Sequence, residues 1–201
     1  MNILIEQLPD AVVIDGAEVP IETDFRACLR VILAFEDDDL TSAEKAVILL
    51  ENLYADPPAN VQEALRLGLK FLDGGAAPEG RDRAPGPRLY SLDQDAQYIY
   101  AAFRQTHGID LEAVAHLHWW KFLALFMDLG SDTAFCGLVG FRKRHKAGKL
   151  SKDERRAYLE MKEIVDLPEP DRRTPDEKAR EAEFMRQVEE GRRRRAAQAQ
   201  G

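Results

Sequence analysis

The chain has 201 residues, of which 45% are hydrophobic and 32% charged, a composition typical of a globular protein with a sizeable core. Glu6 and Pro9 interrupt the start, and no stretch approaches the roughly 20 apolar residues of a membrane span, so we expect neither a signal peptide nor a membrane segment. The two cysteines, Cys28 and Cys136, lie in separate apolar helical patterns, which indicates free buried thiols in a reducing cytoplasm.

The formal net charge of −8 is unevenly distributed. Residues 1–140 hold 23 acids and 10 bases, a balance of −13, whereas residues 141–201 hold 13 acids and 18 bases, a balance of +5. Such an asymmetry suits self-association or docking on a charged partner. It argues against non-specific nucleic-acid binding by the first two thirds, because their negative field repels phosphate.

The N-terminal segment predicts extended structure. Asp15-Gly16 separates two apolar runs at 11–14 and 17–21, and this dipeptide favours a tight hairpin because both turn positions adopt positive φ. We therefore expect a β-hairpin, or a three-stranded meander if residues 3–8 pair as well.

Three amphipathic helices are predicted next, over residues 24–36, 42–54 and 60–72. The second is preceded by the capping box Thr41-x-x-Glu44, in which each residue's side chain accepts from the other's main-chain N–H. The predicted inward faces are Phe25, Cys28, Leu29, Ile32 and Phe35; Ala43, Ala46, Val47, Leu50, Leu53 and Tyr54; and Val61, Ala64, Leu65, Gly68 and Leu72.

Composition divides the chain into four parts. Residues 1–72 contain the hairpin and three helices, and residues 73–88 form a flexible loop, since seven of these sixteen residues are glycine or proline. Residues 89–168 form a second helical unit, and residues 169–201 a charged helix or tail. The pattern is equally compatible with residues 1–168 being one compact domain.

The second unit is predicted to hold four helices, with Gly108 ending the first as a left-handed cap. Capping boxes at Ser91-x-x-Gln94 and Ser151-x-x-Glu154 begin two of them. The predicted helices cover residues 91–106, 116–129, 133–144 and 151–165.

The helix at 116–129, with the sequence HLHWWKFLALFMDL, contains both tryptophans, Trp119 and Trp120. On a regular helix His118, Lys121 and Asp128 fall on one narrow polar stripe, and most of the remaining surface is apolar. This pattern predicts the central helix of a bundle.

The C-terminal segment has little apolar surface with which to dock on a core. Phe184, Met185 and Val188 are its large apolar residues, and Arg192, Arg193 and Arg194 follow them in a basic run. We therefore predict a protruding helix or tail that orders on a partner, with these six residues as candidate partner contacts.

We predict no catalytic, cofactor-binding or metal-binding residues. The chain has no GxSxG, HExxH, GxGxxG or CxxC motif. On a helix His116 and His118 point about 200° apart and cannot chelate one metal. The aspartates at 37–39 lack the alternating ligands of an EF-hand, and are interpreted as a solvated loop.

Basic residues cluster again at 142–156. Without an aromatic platform or a helix-turn-helix pattern beside them, they are interpreted as a solvated basic face. Nucleic acid is therefore not an expected partner.

Four segments of the chain resemble one known family. They are NILIEQLPDAVVIDGAEVPIETDFR, RLYSLDQDAQYIYAAFRQTHGIDL and LHWWKF, and more loosely RRAYLEMKEIVDLP. On these segments the chain resembles the bacteriophage gene-product-fifteen family. The resemblance covers roughly residues 2–168, with a gap at 73–87. The family-marker residues are Leu117, His118, Trp119, Trp120, Lys121 and Phe122.

This resemblance implies a non-enzymatic tail-assembly factor of a phage or prophage, acting in the bacterial host cytoplasm. Its members are encoded near the tape measure protein, so a tail assembly chaperone that binds the tape measure protein and other tail proteins is the first hypothesis. A minor structural protein of the tail is the second, and a nucleic-acid-binding accessory protein the third. The residue patterns, together with this resemblance, predict a mainly α fold: an N-terminal β-hairpin, a multi-helix bundle and a protruding C-terminal helix.

Overall fold

The computed structural model of the chain describes residues 3–75, 87–168 and Arg186. The mainly helical fold with an N-terminal hairpin is confirmed, whereas the predicted C-terminal helix lies outside the described residues. Residues Met1–Pro168 and Glu169–Gly201 are two separate compact units. The elements are β1 (Ala11–Ile14), β2 (Ala17–Pro20), α1 (Phe25–Glu36), α2 (Ser42–Leu53), α3 (Val61–Leu72), α4 (Ala96–His107), α5 (Trp119–Met127), α6 (Ala134–Lys146), α7 (Lys152–Glu160) and α8 (Lys162–Val165).

The hairpin forms at the predicted dipeptide. β1 pairs antiparallel with β2, and Asp15 and Gly16 adopt φ values of 51° and 81°, as a two-residue turn between twisted strands requires. Residues 3–5 form a turn, so the sheet has two strands and the three-stranded alternative is wrong.

Side-chain caps fix the starts of α1, α2 and α3 as predicted. The Asp24 side chain accepts from the main-chain N–H of Arg26, and Thr41 and Glu44 form a reciprocal capping box. The Asn60 side chain accepts from the main-chain N–H of Glu63. These caps pair main-chain donors that otherwise lack a partner at a helix start.

The predicted inward faces of these helices are partly wrong. Each helix buries only a narrow stripe against its neighbours, so apolar residues at the flanks of the stripe stay in solvent. The exposed ones are Phe35 at 39%, Val47 at 50%, Val61 at 45%, and Ala43. The buried residues that prediction missed are Ala27, Val31, Leu49 and Phe71.

The start of α4 also differs from the prediction. Ser91 Oγ accepts from the N–H of Gln94, but the reciprocal acceptor is Asp95, whose Oδ2 accepts from the N–H of Ser91 at 2.9 Å. The helix therefore begins at Ala96 rather than at the predicted residue 91. Gly108, with φ of 67°, ends α4 as predicted.

The tryptophan helix is shorter than predicted. α5 begins at Trp119, because His118 is its N-cap and the chain before it is extended. Asp128 is the C-cap. The predicted polar stripe is therefore wrong: two of its three members cap the helix rather than lie along it.

The helices after α5 start close to their predicted positions. Thr133 caps α6, and the predicted capping box of Ser151 and Glu154 opens α7. The predicted continuous helix to Val165 breaks at Met161 into α7 and α8. Among the described helices, none combines the length and the hydropathy needed to cross a bilayer.

Aromatic rings at the centre of the core join the two halves of the described chain. The Phe122 ring stacks on Phe25 and on Phe103, with ring centroids 5.0 Å apart in each case. Trp119 stacks on Phe122 at 5.5 Å. One aromatic cluster thus links α1, α4 and α5.

Both cysteines are free, as predicted. Cys28 is buried as expected, whereas Cys136 is only half-buried.

Arg142 was predicted on a solvated basic face, and this was wrong. Its side chain is buried and forms two charge-assisted hydrogen bonds with Asp95, at 2.5 and 2.9 Å. The guanidinium also donates to the carbonyls of Val165, Ile164 and Leu89 at 2.7, 2.6 and 3.3 Å. One side chain thus ties α6 to α8 and to the segment before α4.

Replacement of Arg142 by methionine should destabilise the protein by about 3–5 kcal/mol, because it leaves the Asp95 carboxylate buried without its partner. Urea denaturation measures the free energy of unfolding. On the same helix, Arg144→Met removes the exposed pair with Glu154 and a cation–π contact 5.9 Å from the Phe141 ring centroid, and should change that free energy little. Equal losses in the two variants would contradict a role specific to the buried pair.

Candidate partner-binding groove

The predicted site residues fall into two groups. The candidate partner contacts Phe184, Met185, Val188, Arg192, Arg193 and Arg194 lie outside the described residues. The six family-marker residues at 117–122 are described: Leu117, His118, Trp119 and Phe122 are buried, Trp120 is half-buried and Lys121 is exposed.

The marker segment pairs through its main chain with the start of α1. Phe25 N–H donates to the Leu117 carbonyl at 3.0 Å, and Trp119 N–H donates to the Thr23 carbonyl at 2.7 Å. An isolated antiparallel bridge joins Asp24 to His118. These bonds hold the start of α5 against the start of α1, about 95 residues away along the chain.

The two indoles of this segment bind the end of α3. Trp119 Nε1–H donates to the Leu72 carbonyl, and Trp120 Nε1–H donates to the Phe71 carbonyl, each at 2.8 Å. Carbonyls in the last turn of a helix lack intrahelical partners, so the tryptophan pair supplies donors that α3 needs. Gly75 lies against this cap: a Cβ added there would be 2.7 Å from Trp120 Cη2.

His118 uses both ring nitrogens. Nδ1 accepts from Trp120 N–H at 3.1 Å, which caps α5, so the ring proton is on Nε2, 3.0 Å from the Pro9 carbonyl. Burial lowers the pKa of His118 below its ordinary value.

His116 and His118 lie in extended chain and line the same cavity of about 580 Å³, so the predicted opposite orientation is wrong. His116 Nε2 is 3.0 Å from Thr23 Oγ1. Within the described part of the chain, no group of three or more histidine, cysteine or acidic side chains is arranged to hold a metal ion.

The clearest candidate site is a groove between α1 and α3, which we term the α1–α3 groove. Its cavity volume is about 630 Å³. Phe35 and Leu69 on its walls are 39% and 44% exposed, although both are large and apolar. The lining consists of Val31, Ile32, Phe35, Leu69 and Leu72, with Glu36, Arg66, Lys70 and Asp73 as charged residues.

A second cleft of about 430 Å³ adjoins this groove and shares Ile32, Glu36 and Leu72 with it. Its other lining residues include the aromatic Tyr90, Trp119, Phe122 and Phe126. Glu36 lies at the junction and pairs with Arg88 at 2.6 Å. Burial raises the pKa of Glu36, and the Arg88 charge opposes that rise.

An apolar groove with a rim of both charges is suited to the apolar face of an amphipathic helix. Sequence reasoning missed the groove because it placed Phe35 in the core and left Leu69 off the inward face. A detectable signal was present in α3: Leu65, Leu69 and Leu72 form a second apolar row beside the buried Ala64, Gly68 and Phe71.

Comparison with known proteins identifies one family. The family model described as Bacteriophage Gp15 protein matches residues 4–167, about four fifths of the chain. Neither a curated protein nor a solved structure matches the chain.

Replacement of Gly75 by alanine should destabilise the protein more than the same change at Gly148. Both glycines have left-handed φ values, of 77° and 67°, where a side chain costs about 1–2 kcal/mol. Only at Gly75 does the added Cβ also collide with Trp120, because nothing lies within 4 Å of such a Cβ at Gly148. Equal losses in thermal stability would exclude the close contact with Trp120.

Stability should fall as pH falls from about 7 to 5, through the ordinary histidine pKa near 6.5. The sign follows from the lowered pKa of His118: the folded state holds the neutral ring, and the unfolded state takes up the proton more readily. Denaturation at several pH values should show a weaker dependence for His118→Asn, which keeps a capping acceptor. An unchanged pH dependence in His118→Asn would contradict this role of the ring.

Proposed function

We propose that this chain, which belongs to the Bacteriophage Gp15 protein family, is a phage tail assembly protein that acts as a chaperone for the tape measure protein. It would bind the long, partly apolar tape measure protein in the bacterial host cytoplasm and keep it soluble until tube proteins polymerise around it. Family membership supports the phage origin; the chaperone role rests on the surface of the protein.

The observation that carries the proposal is the α1–α3 groove. The side chains of Phe35 and Leu69 expose apolar surface to water. Covering that surface with the apolar face of a partner lowers the free energy by about 25 cal/mol for each Å² buried. In this proposal the bound segments are helices of the tape measure protein, whose apolar faces would be open to water until the tail tube encloses them. Arg66, Lys70 and Asp73 on and just after α3, and Glu36 at the end of α1, give the groove charges of both signs that orient a bound helix.

The test is co-expression with the tape measure protein encoded near this chain. Wild-type protein should raise the soluble fraction of the tape measure protein, and Leu69→Asp should remove this effect because it places a charge in the groove. Val61→Asp is the matched control: it lies on the same helix, outside the groove, with 45% exposure against 44% for Leu69.

A tape measure protein that is equally insoluble with and without this chain would contradict the chaperone proposal. Mass spectrometry of purified virions distinguishes a chaperone from a minor structural protein of the tail. A chaperone is absent from the finished particle, whereas a minor structural protein of the tail is present in it.

A further inference from the structure

Charge within the described chain is concentrated in two places. Residues 143–162, which span the end of α6 and the helix α7, hold eight bases and three acids, a balance of +5. Residues 3–75, which contain the hairpin and α1 to α3, hold 15 acids and 5 bases, a balance of −10. We term residues 143–162 the basic lobe.

The outward face of the lobe carries an apolar residue between basic ones. α7 buries none of its residues, and Leu159 is 74% exposed. Arg155 and Arg156 precede Leu159 by four and three positions, so all three lie on neighbouring positions of the helix surface.

Contacts on the other side of α7 fix its orientation. Tyr158 donates through its hydroxyl to Asp166 at 3.0 Å, and its ring lies 4.1 Å from the ring of His145. Arg144 forms an ion pair with Glu154 at 2.8 Å. Because these contacts hold one side of the helix, the side with Leu159 is directed away from its own chain.

The α1–α3 groove has the complementary chemistry. Its exposed Phe35 is followed directly by the acidic run at 36–39, in the most negative part of the described chain. The groove lining carries Glu36, which pairs with Arg88, and Asp73 together with Arg66 and Lys70, so the acidic excess comes from Asp37, Asp38 and Asp39, which follow Glu36 in the chain. An apolar recess that leads into these three carboxylates matches an apolar residue beside two arginines. Opposite charges on both surfaces would fix the register of such a contact.

We propose that the basic lobe of one molecule docks in the α1–α3 groove of a second copy, with Leu159 in the groove and Arg155 and Arg156 against the acidic run. The two surfaces differ, so the contact is head-to-tail: one molecule of a pair keeps an unused groove, and the other keeps an unused basic lobe. Such contacts build rings or open filaments rather than closed dimers. This proposal does not depend on the identity of the client, but a client in the groove would compete with the second copy.

Analytical ultracentrifugation of the full chain tests the proposal. The wild-type protein should form species larger than a monomer as its concentration rises, and fewer of them at high salt, because salt screens the paired charges. Arg155→Glu with Arg156→Glu should be monomeric, and so should Asp38→Lys with Asp39→Lys. An equimolar mixture of these two variants should associate again, because the unaltered lobe of the second variant meets the unaltered groove of the first, and their two charge-reversed surfaces are also opposite in sign.

The decisive arm uses variants that block one surface each without reversing charge: Leu159→Ser on the lobe and Leu69→Ser in the groove. Each alone should lose the larger species, and their equimolar mixture should form a dimer and nothing larger, since one intact lobe meets one intact groove. The control Glu51→Lys, on the exposed side of α2, should associate as wild type does.

A wild-type chain that stays monomeric at every concentration overturns the proposal, as does a mixture that forms no dimer. Circular dichroism establishes that each variant is folded. The arginine variants should still solubilise the tape measure protein, so failure of self-association and failure of the proposed chaperone function are separate results.

Discussion

The described chain depends on one set of hydrogen bonds, those of the marker segment at 117–122. The main chain of this segment pairs with Thr23, which precedes α1, and with Phe25, the first residue of α1. Its two indoles cap the end of α3. The same segment delivers Phe122 to the centre of the aromatic core. Buried main-chain groups need partners, and here the partners of three distant segments converge on six residues.

The C-terminal half of the described residues has a second such point, the pair of Arg142 and Asp95. A buried ion pair contributes little net stability over apolar packing, but the loss of either partner is costly. The arginine also satisfies three carbonyls, two of them at the end of α8. It therefore fixes the place from which the chain leaves the first compact unit at Pro168.

Local features were predictable and distant ones were not. The turn at Asp15 and the caps at Thr41, Asn60 and Ser151 depend on neighbouring residues, and each formed as expected. Whether Arg142 is buried depends on a carboxylate 47 positions away, and a run of basic residues gives no sign of it. The start of α5 was misplaced for the same reason, because pairing with α1 extends the chain there. The groove was missed because an apolar stripe does not reveal which of its edges a neighbour covers.

The tryptophan contacts have a consequence for how the family can diversify. Both indoles, and the His118 ring on the Pro9 side, bind carbonyl oxygens rather than side chains. A carbonyl is present whatever residue occupies the position, so most substitutions at residues 9, 71 and 72 leave these acceptors in place. The donors have no such freedom, because few other side chains offer an N–H at that reach. For these hydrogen bonds alone, substitutions should therefore be tolerated far more on the receiving side of this joint than within the LHWWKF segment, although the Phe71 side chain is itself part of the buried core.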